Sequence, residues 1–525
     1  MLESLPDDIL TLKQKILDLS AEKNSIEEKF KNSQNKILQL ENEIKDYRRI
    51  LFGAKSEKMS LLEYEQYLLF NEAEHGLDDE SELFEGLKES HVREHRRKGR
   101  RKISKDIPRK EIVHDVEEEE KICNCGCRMH QLPDEISENL VMIPAKLYVE
   151  RHIYRRYACK GCEGDERDEA GKIILTAKRP ESLLPGSILS PSLMAYVLVS
   201  KVVDHIPFYR MSKIFYRYGL EIPRATISNW VVGVYEKYKE FFSFLNKYLL
   251  KGPIIGIDET SLQVFKEAGR KNTTKSFMWV LRGGTVSKRI ILFQYSPTRS
   301  AEFLKNELKD YTGFVQTDGY ESYDTHLASN ENIILSECMA HVRRKFYKLY
   351  HSTKDRVAAK VLYLIKKLYE VEKQIKKLEL YEKEEYQKIV EIRQTKAKPV
   401  FLELEAYLKE QAIRLPKEFG VGKPIQYALN RWEKLRPYLQ HGEIYIDNNF
   451  VENAIRPFVV GRKNWMFSGS PRGAEATAFW FSFLETCKAN NKEPYETLLD
   501  FLEKLPLCKN SKDCERIFSE VMGWV

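Results

Sequence analysis

Pro253-Ile254-Ile255-Gly256-Ile257-Asp258-Glu259-Thr260 is an apolar run that ends on a carboxylate, the pattern of a short buried strand delivering Asp258 at its tip. The same device recurs in Gly313-Phe314-Val315-Gln316-Thr317-Asp318-Gly319. Between the two lie strand-like runs at 277–282 and 289–295, set apart by Gly283-Gly284 and a basic turn. A helix follows, which Ser300 would cap and which would reach about Tyr311 with Phe303, Leu304 and Leu308 on its apolar face.

A third acid, Glu452, stands in Asp447-Asn448-Asn449-Phe450-Val451-Glu452-Asn453-Ala454-Ile455-Arg456, where a spacing of four aligns Asn448, Glu452 and Arg456 on one helical face. Strand, strand, strand, helix, strand, with acids on the first and fourth strands and a later helix, is the order of a ribonuclease-H-like fold. Carboxylates gathered in a core repel one another and resist desolvation, so Asp258, Asp318 and Glu452 together call for a cation. Hard oxygen ligands suit Mg²⁺ or Mn²⁺.

The rest of the chain reads as a large multidomain α/β protein. Its 525 residues exceed what one core organises, and 42% of them are apolar. No run approaches a membrane span and the N-terminus is acidic, unlike a secretion signal, so a cytoplasmic protein with no membrane partner is expected. The net charge of +7 is too mild to establish a nucleic-acid partner by itself, and its distribution says more. Residues 9–51 carry a heptad seam from Ile9 to Leu51, broken at Lys23 and Ser33, as in a coiled coil that assembles chains. A linker follows, acidic at 78–82 and basic at 93–102, and the basic half suits contact with phosphates.

Five of the nine cysteines crowd into one segment: Cys123, Cys125 and Cys127, then Cys159 and Cys162. Their spacing points to a structural Zn²⁺ held by four of these five thiolates, and leaves open which two of the first three take part. From Ser190 the pattern is helical, with helices opening at Pro191, Pro207 and Pro223. The last two form a helix-turn-helix pattern in which Arg224, Thr226, Ser228 and Asn229 sit where a DNA-reading helix meets base edges. Between Asp318 and Glu452 the chain is far longer than a crossover needs and reads as a helical insertion rich in Lys and Glu. Just before it, Cys338 and His341 fall one helical turn apart on a helix with a basic outer face. His341 is a candidate contact for phosphate or the scissile strand, whereas Cys338 reads as packing.

The expected division is a coiled coil (1–60), a charged linker (61–110), a zinc-binding module (111–180), a helix-turn-helix region (181–250), the catalytic core (251–345 and 441–490) around the helical insertion (346–440), and a C-terminal helical element (491–525). Several motifs in this order give the chain a resemblance to transposases of the insertion sequence 66 family over nearly its whole length. They are Phe52-Gly53-Ala54-Lys55-Ser56-Glu57, the cysteine pairs flanking Ser137-Glu138-Asn139-Leu140 and Ile143-Pro144-Ala145, Asp204-His205-Ile206-Pro207-Phe208-Tyr209-Arg210, and Gln316-Thr317-Asp318-Gly319-Tyr320. The last two are Asp447-Asn448-Asn449 with Glu452-Asn453-Ala454-Ile455-Arg456-Pro457, and the stretch from Gly461 to Ser470. One departure is Asn453, where the family usually carries Arg.

The resemblance implies a DDE transposase that binds double-stranded DNA at element ends and at the target. Asp258, Asp318 and Glu452 would hold two Mg²⁺ ions for strand cleavage and transfer. Arg456, Arg462 and Lys463 would stand near DNA phosphates, with Arg472 a further candidate. Self-assembly and accessory transposition proteins belong to the same expectation. A DNA-binding regulator derived from a transposase and a ribonuclease-H-like nuclease are the alternatives. A regulator would be expected to lose a carboxylate, and a nuclease would not need the segments in front of the core.

Overall fold

The computed structural model describes residues 146–158 and 174–524, apart from 328 and 329, together with Ser20, Lys23, Lys110 and Ile112. Nearly all of the expected coiled coil and of the charged linker, and the five clustered cysteines, lie outside the described residues. The chain divides into two compact units, residues 78–178 and the remainder. In the smaller unit, β1 (Arg156–Ala158) pairs antiparallel with β2 (Ile174–Thr176), Arg156 opposite Thr176.

The larger unit opens with three helices whose starts follow from local chemistry. Ser190 caps α1 (Pro191–Val202), its hydroxyl accepting from the Leu193 amide at 3.2 Å. Helices α2 (Phe208–Arg217) and α3 (Arg224–Tyr238) each begin directly after a proline, whose fixed φ suits a helix entry. The turn between them is stitched by the Ser212 hydroxyl donating to the Ile222 carbonyl at 2.6 Å, and Gly219 supplies the left-handed residue at φ +82°.

The sheet is built from β3 (Ile254–Val264), β4 (Lys275–Thr285), β5 (Lys288–Ser296), β6 (Gly313–Thr317) and β7 (Ile333–Glu337), in the spatial order β5-β4-β3-β6-β7. β3, β4 and β5 are antiparallel, whereas β6 and β7 run parallel to β3. The central β3 is covered on both faces, which is why its sequence is a continuous apolar run and not an alternating one.

Two local expectations shift. The hairpin loop is Val286-Ser287, with Thr285 opposite Lys288, so Gly283 and Gly284 lie inside β4 and not in the turn. A Cβ on Gly283 would stand 3.0 Å from the Leu249 carbonyl oxygen, so this glycine serves close packing. The helix after Ser300 spans only Glu302–Glu307, yet Leu304, Leu308 and Tyr311 all enter the core.

α4 (Met339–Thr353), which starts ahead of the expected insertion, α5 (Arg356–Lys377) and α6 (Lys398–Arg414) share an apolar cluster that runs from Met339 to Ile446 and takes in Ile254 of β3. A second cluster joins the sheet, the three opening helices and the C-terminal helices from Leu183 to Met522, so the segments 181–250 and 491–525 share the core of the sheet. After the insertion come α7 (Asn449–Trp465), the short β8 (Phe467–Ser468) alongside the end of β3, and α8 (Pro471–Ala489). α8 shields the edge strand β5. Ser482 and Thr486 accept from the amides of Phe293 and Ile291 at 2.8 and 3.0 Å, and Asn490 just beyond the helix accepts from Arg289 at 3.1 Å.

Arg393 locks the insertion to the returning chain. It is fully buried, pairs with both oxygens of Glu372 at 2.8 and 2.9 Å, and donates to the carbonyls of Tyr438, His441 and Ile444 at 2.8, 3.1 and 2.9 Å. Truncating one partner of such a pair strands the other charge. Arg393→Ala is expected to lower stability by about 3–5 kcal/mol in chemical denaturation, and an unchanged midpoint would contradict the assigned role.

Candidate active site

Asp258 lies in the middle of β3 and Asp318 directly after β6, so parallel pairing of Ile254, Ile255 and Gly256 with Phe314, Val315 and Gln316 carries both acids to the same end of the sheet. Glu452 arrives on the first turn of α7. That helix lies close along β3 because Gly256 has no side chain: a Cβ there would stand 2.4 Å from Phe450 and 3.0 Å from Val451. The Asn448 side-chain amide donates to the Ile257 carbonyl at 3.0 Å, one residue before Asp258. The helix start is set by Asp447, which accepts from the Asn449 amide at 3.1 Å.

The approach to α7 is fastened at three further points. Gln316 donates to the Tyr445 carbonyl at 2.7 Å, the Met339 amide to the Ile446 carbonyl at 3.0 Å, and the Asn448 amide to the Cys338 sulfur at 3.1 Å. Both ends of the insertion thereby meet beside the sheet.

The three acids form one electrostatic cluster. Burial raises Asp258 well above the ordinary carboxylate range, and the neighbouring charges of Glu259, Glu452 and Asp318 push it further. Asp318 is also raised by burial, against the opposing pull of the Tyr320 amide at 3.0 Å and of Arg299, Arg431 and Arg344. Glu452 is only 4% exposed. Hard carboxylate oxygens are donors that suit Mg²⁺ or Mn²⁺, and the buried Asn448 Oδ1, one turn before Glu452, has no hydrogen-bond partner.

A fourth carboxylate was not singled out from the sequence. Glu259 stands next to Asp258, and strand geometry turns its side chain to the other face. There Arg299 holds it at 2.6 Å and Tyr323 donates to it through a very short hydrogen bond. Burial and the charge of Asp318 push Glu259 up to about 7. Arg299 also stacks 3.8 Å over the ring of Tyr320, bracing the turn that carries Asp318.

On α4, His341 Nδ1 lies 3.8 Å from Glu452, and among the described residues the group whose ligand atoms all fall within 4.8 Å of one another is Cys338, His341 and Glu452, without Asp258 or Asp318. Burial and the cations Arg344, Lys345, Arg431 and Lys348 hold His341 well below the ordinary histidine value, so it is neutral at pH 7. Burial likewise raises Cys338, whose thiol stays protonated. The basic outer face expected for this helix is only partly outer, because Arg344 is 7% exposed.

The remaining candidates divide. Arg224 and Asn229 are exposed at the start of α3, with Thr226 and Ser228 half-buried beside them, while Trp230 and Ile227 face the core. Arg456 is half-buried one turn beyond Glu452, and Lys463 is exposed. Arg462, expected near phosphate, is instead buried and donates to the Thr260 hydroxyl at 3.0 Å and to the Ser261 carbonyl, which docks α7 on β3. Arg472 pairs with Glu236 of α3 at 2.5 and 2.8 Å.

A family model described as Transposase IS66 family matches residues 186–476, more than half of the chain and all of the acid cluster. The chain belongs to the IS66 transposase family. A zinc-finger binding domain of transposase IS66 matches residues 120–163, the stretch holding Cys123, Cys125, Cys127, Cys159 and Cys162, and supports structural zinc there. A third model, Transposase C of IS166 homeodomain, matches residues 39–112.

Relatives in Sinorhizobium fredii (strain NBRC 101917 / NGR234) extend the likeness. The uncharacterized proteins y4jD and y4qI are each 28% identical, over 96% and 95% of this chain and 94% of their own lengths. A third, y4hP, is 27% identical over 89% of this chain and 86% of its own length. No helix among the described residues is long and apolar enough to cross a membrane.

The raised carboxylates set a sign for this IS66 member's stability. In the metal-free protein the native state keeps protons that the unfolded chain releases, so the contribution of Glu259 falls as pH rises from its ordinary 4.5 to about 7. A divalent cation held by Asp258, Asp318 and Glu452 would displace the protons that burial keeps on Asp258 and Asp318, while Glu259 stays with Arg299. The melting temperature in Mn²⁺ minus that in chelator is therefore expected to widen as pH rises from 5 to 7.5, and a gap independent of pH would contradict the cluster.

Proposed function

We propose that this chain is a DNA transposase that binds the ends of an insertion sequence and performs metal-dependent strand cleavage and strand transfer with Asp258, Asp318 and Glu452. The observation that carries this reading is the gathering of three carboxylates from β3, the end of β6 and the first turn of α7, where each adds to the strain of holding charge. The sheet order, three antiparallel strands followed by two parallel ones, supports a ribonuclease-H-like core interrupted by the insertion.

Asp258, Asp318 and Glu452 would hold Mg²⁺ or Mn²⁺. When bound, the cation activates water or a 3′-hydroxyl and stabilises the leaving oxygen of a phosphodiester. The chain's own groups supply the setting. Asn448 fixes the height of Glu452 against β3, and Arg299 offsets part of the negative charge that Glu259 adds beside Asp258 and Asp318. Neutral His341 offers a hydrogen bond or a proton site next to Glu452 without cationic charge.

Recognition would come from α3, with Arg224, Thr226, Ser228 and Asn229 at base edges, and from Arg456 and Lys463 at phosphates. Zn²⁺ held by four of Cys123, Cys125, Cys127, Cys159 and Cys162 would order the module in front, and the N-terminal heptads would join copies of the chain.

Asp258→Asn, Asp318→Asn and Glu452→Gln are each expected to abolish Mg²⁺-dependent cleavage of a labelled duplex carrying the element's ends while leaving its binding intact. Cleavage at the wild-type rate by any one removes that residue from the site. Arg224→Ala or Asn229→Ala should weaken binding to element ends by about 1–3 kcal/mol per base contact, with little change on scrambled DNA. Equal losses on both duplexes would make α3 structural. Freshly purified protein should contain about one Zn²⁺ per chain, lost in Cys159→Ser. Metal analysis that finds none would remove the zinc module.

A further inference from the structure

Arg344 is buried to 7% exposure on α4, and its Nε and Nη2 atoms are buried with no hydrogen-bond partner. A guanidinium cannot shed its charge, so leaving two of its donors dry and unpaired is a costly arrangement. Three guanidiniums act on Asp318, and two are held by other carboxylates. Arg299 is bonded to Glu259 at 2.6 Å, and Arg431 to both oxygens of Glu337 at 3.0 and 3.1 Å. Arg344 has no such carboxylate against its Nε and Nη2.

Those two atoms form one edge of the guanidinium fork, which presents parallel N–H groups to a pair of oxygens. Spacing places His341, Arg344, Lys345 and Lys348 along one side of α4, and the same cations act together on His341 beside Glu452. A positively charged helix side thus begins where the acid cluster ends. An anion that meets both must offer oxygens to the metal held by the acids and to the arginine fork at once, which describes a phosphodiester.

We infer that Arg344 grips a non-bridging oxygen pair of the DNA phosphate at or next to the scissile bond, and that the unpaired Nε–Nη2 edge is the vacant half of that contact. The inference rests on the transposase reading and adds a substrate-touching residue to it. If Arg344 served only as a counter-charge for Asp318, lysine would replace it, since lysine keeps the charge and loses the fork.

The test uses the full-length protein in single-turnover cleavage of duplexes carrying the element's terminal DNA, in saturating Mg²⁺. In one series each phosphate around the cut is replaced by a neutral methylphosphonate. Wild type is expected to slow about 100-fold at one of these positions. Arg344→Ala and Arg344→Lys should both be about 100-fold slower on the unmodified duplex and should lose little more at that same position. Their melting temperatures and Mn²⁺ affinities report whether the fold and the acid cluster survive.

Lysine at the wild-type rate, or methylphosphonate and Arg344→Ala losses that multiply at every position, would overturn the role of Arg344 alone. Wild type that cuts no unmodified duplex would instead overturn the transposase reading beneath it.

Discussion

The contact between Gly256 and the first turn of α7 is the constraint on which the site depends. Glu452 is separated from Asp258 by nearly two hundred residues, and it reaches the sheet only because Phe450 and Val451 can lie where any side chain at position 256 would stand. Asn448 then sets the register of helix on strand through the Ile257 carbonyl, and Arg462 repeats the fastening farther along β3. The close approach is also what makes the cluster electrostatically demanding. It dries the acids and brings them near one another, and a dry cluster of like charges favours either protons or a cation.

The insertion can be long because its geometry is closed at the base. Cys338 and Asn448 touch across 110 residues of sequence, Met339 bonds to Ile446, and Arg393 holds the returning segment from Tyr438 to Ile444. The helical body packs around one apolar cluster, which meets the sheet at Ile254 of β3 and Phe314 of β6. Its first helix carries His341 and Arg344 to the acids. The segment between β7 and α7 therefore stands beside the acids through its first helix.

Much of this was legible in the sequence for reasons that can be stated. The β3 and β6 runs are apolar because both faces of the central strands are covered, and proline or a capping serine marks the starts of α1, α2 and α3. Gly283-Gly284 suggests a turn but lies inside β4, because glycine serves close packing as well as turns. Glu259 went unnoticed because alternation along a strand turns it away from Asp258, and nothing local names Arg299 and Tyr323 as its partners. The burial of Arg462 and Arg344 is not legible, because helical periodicity gives a face but not what covers it. Contacts such as those of Cys338 with Asn448 have no local signature at all.

We propose that acids from three distant segments share one divalent cation site. Crystals of the full-length protein grown in Mn²⁺ test it directly through the anomalous signal of the metal. Mn²⁺ bonded to carboxylate oxygens of Asp258, Asp318 and Glu452 is the expected result. Mn²⁺ seated on Cys338, His341 and Glu452 with no bond to Asp258 or Asp318, or no metal peak at the cluster, would contradict it.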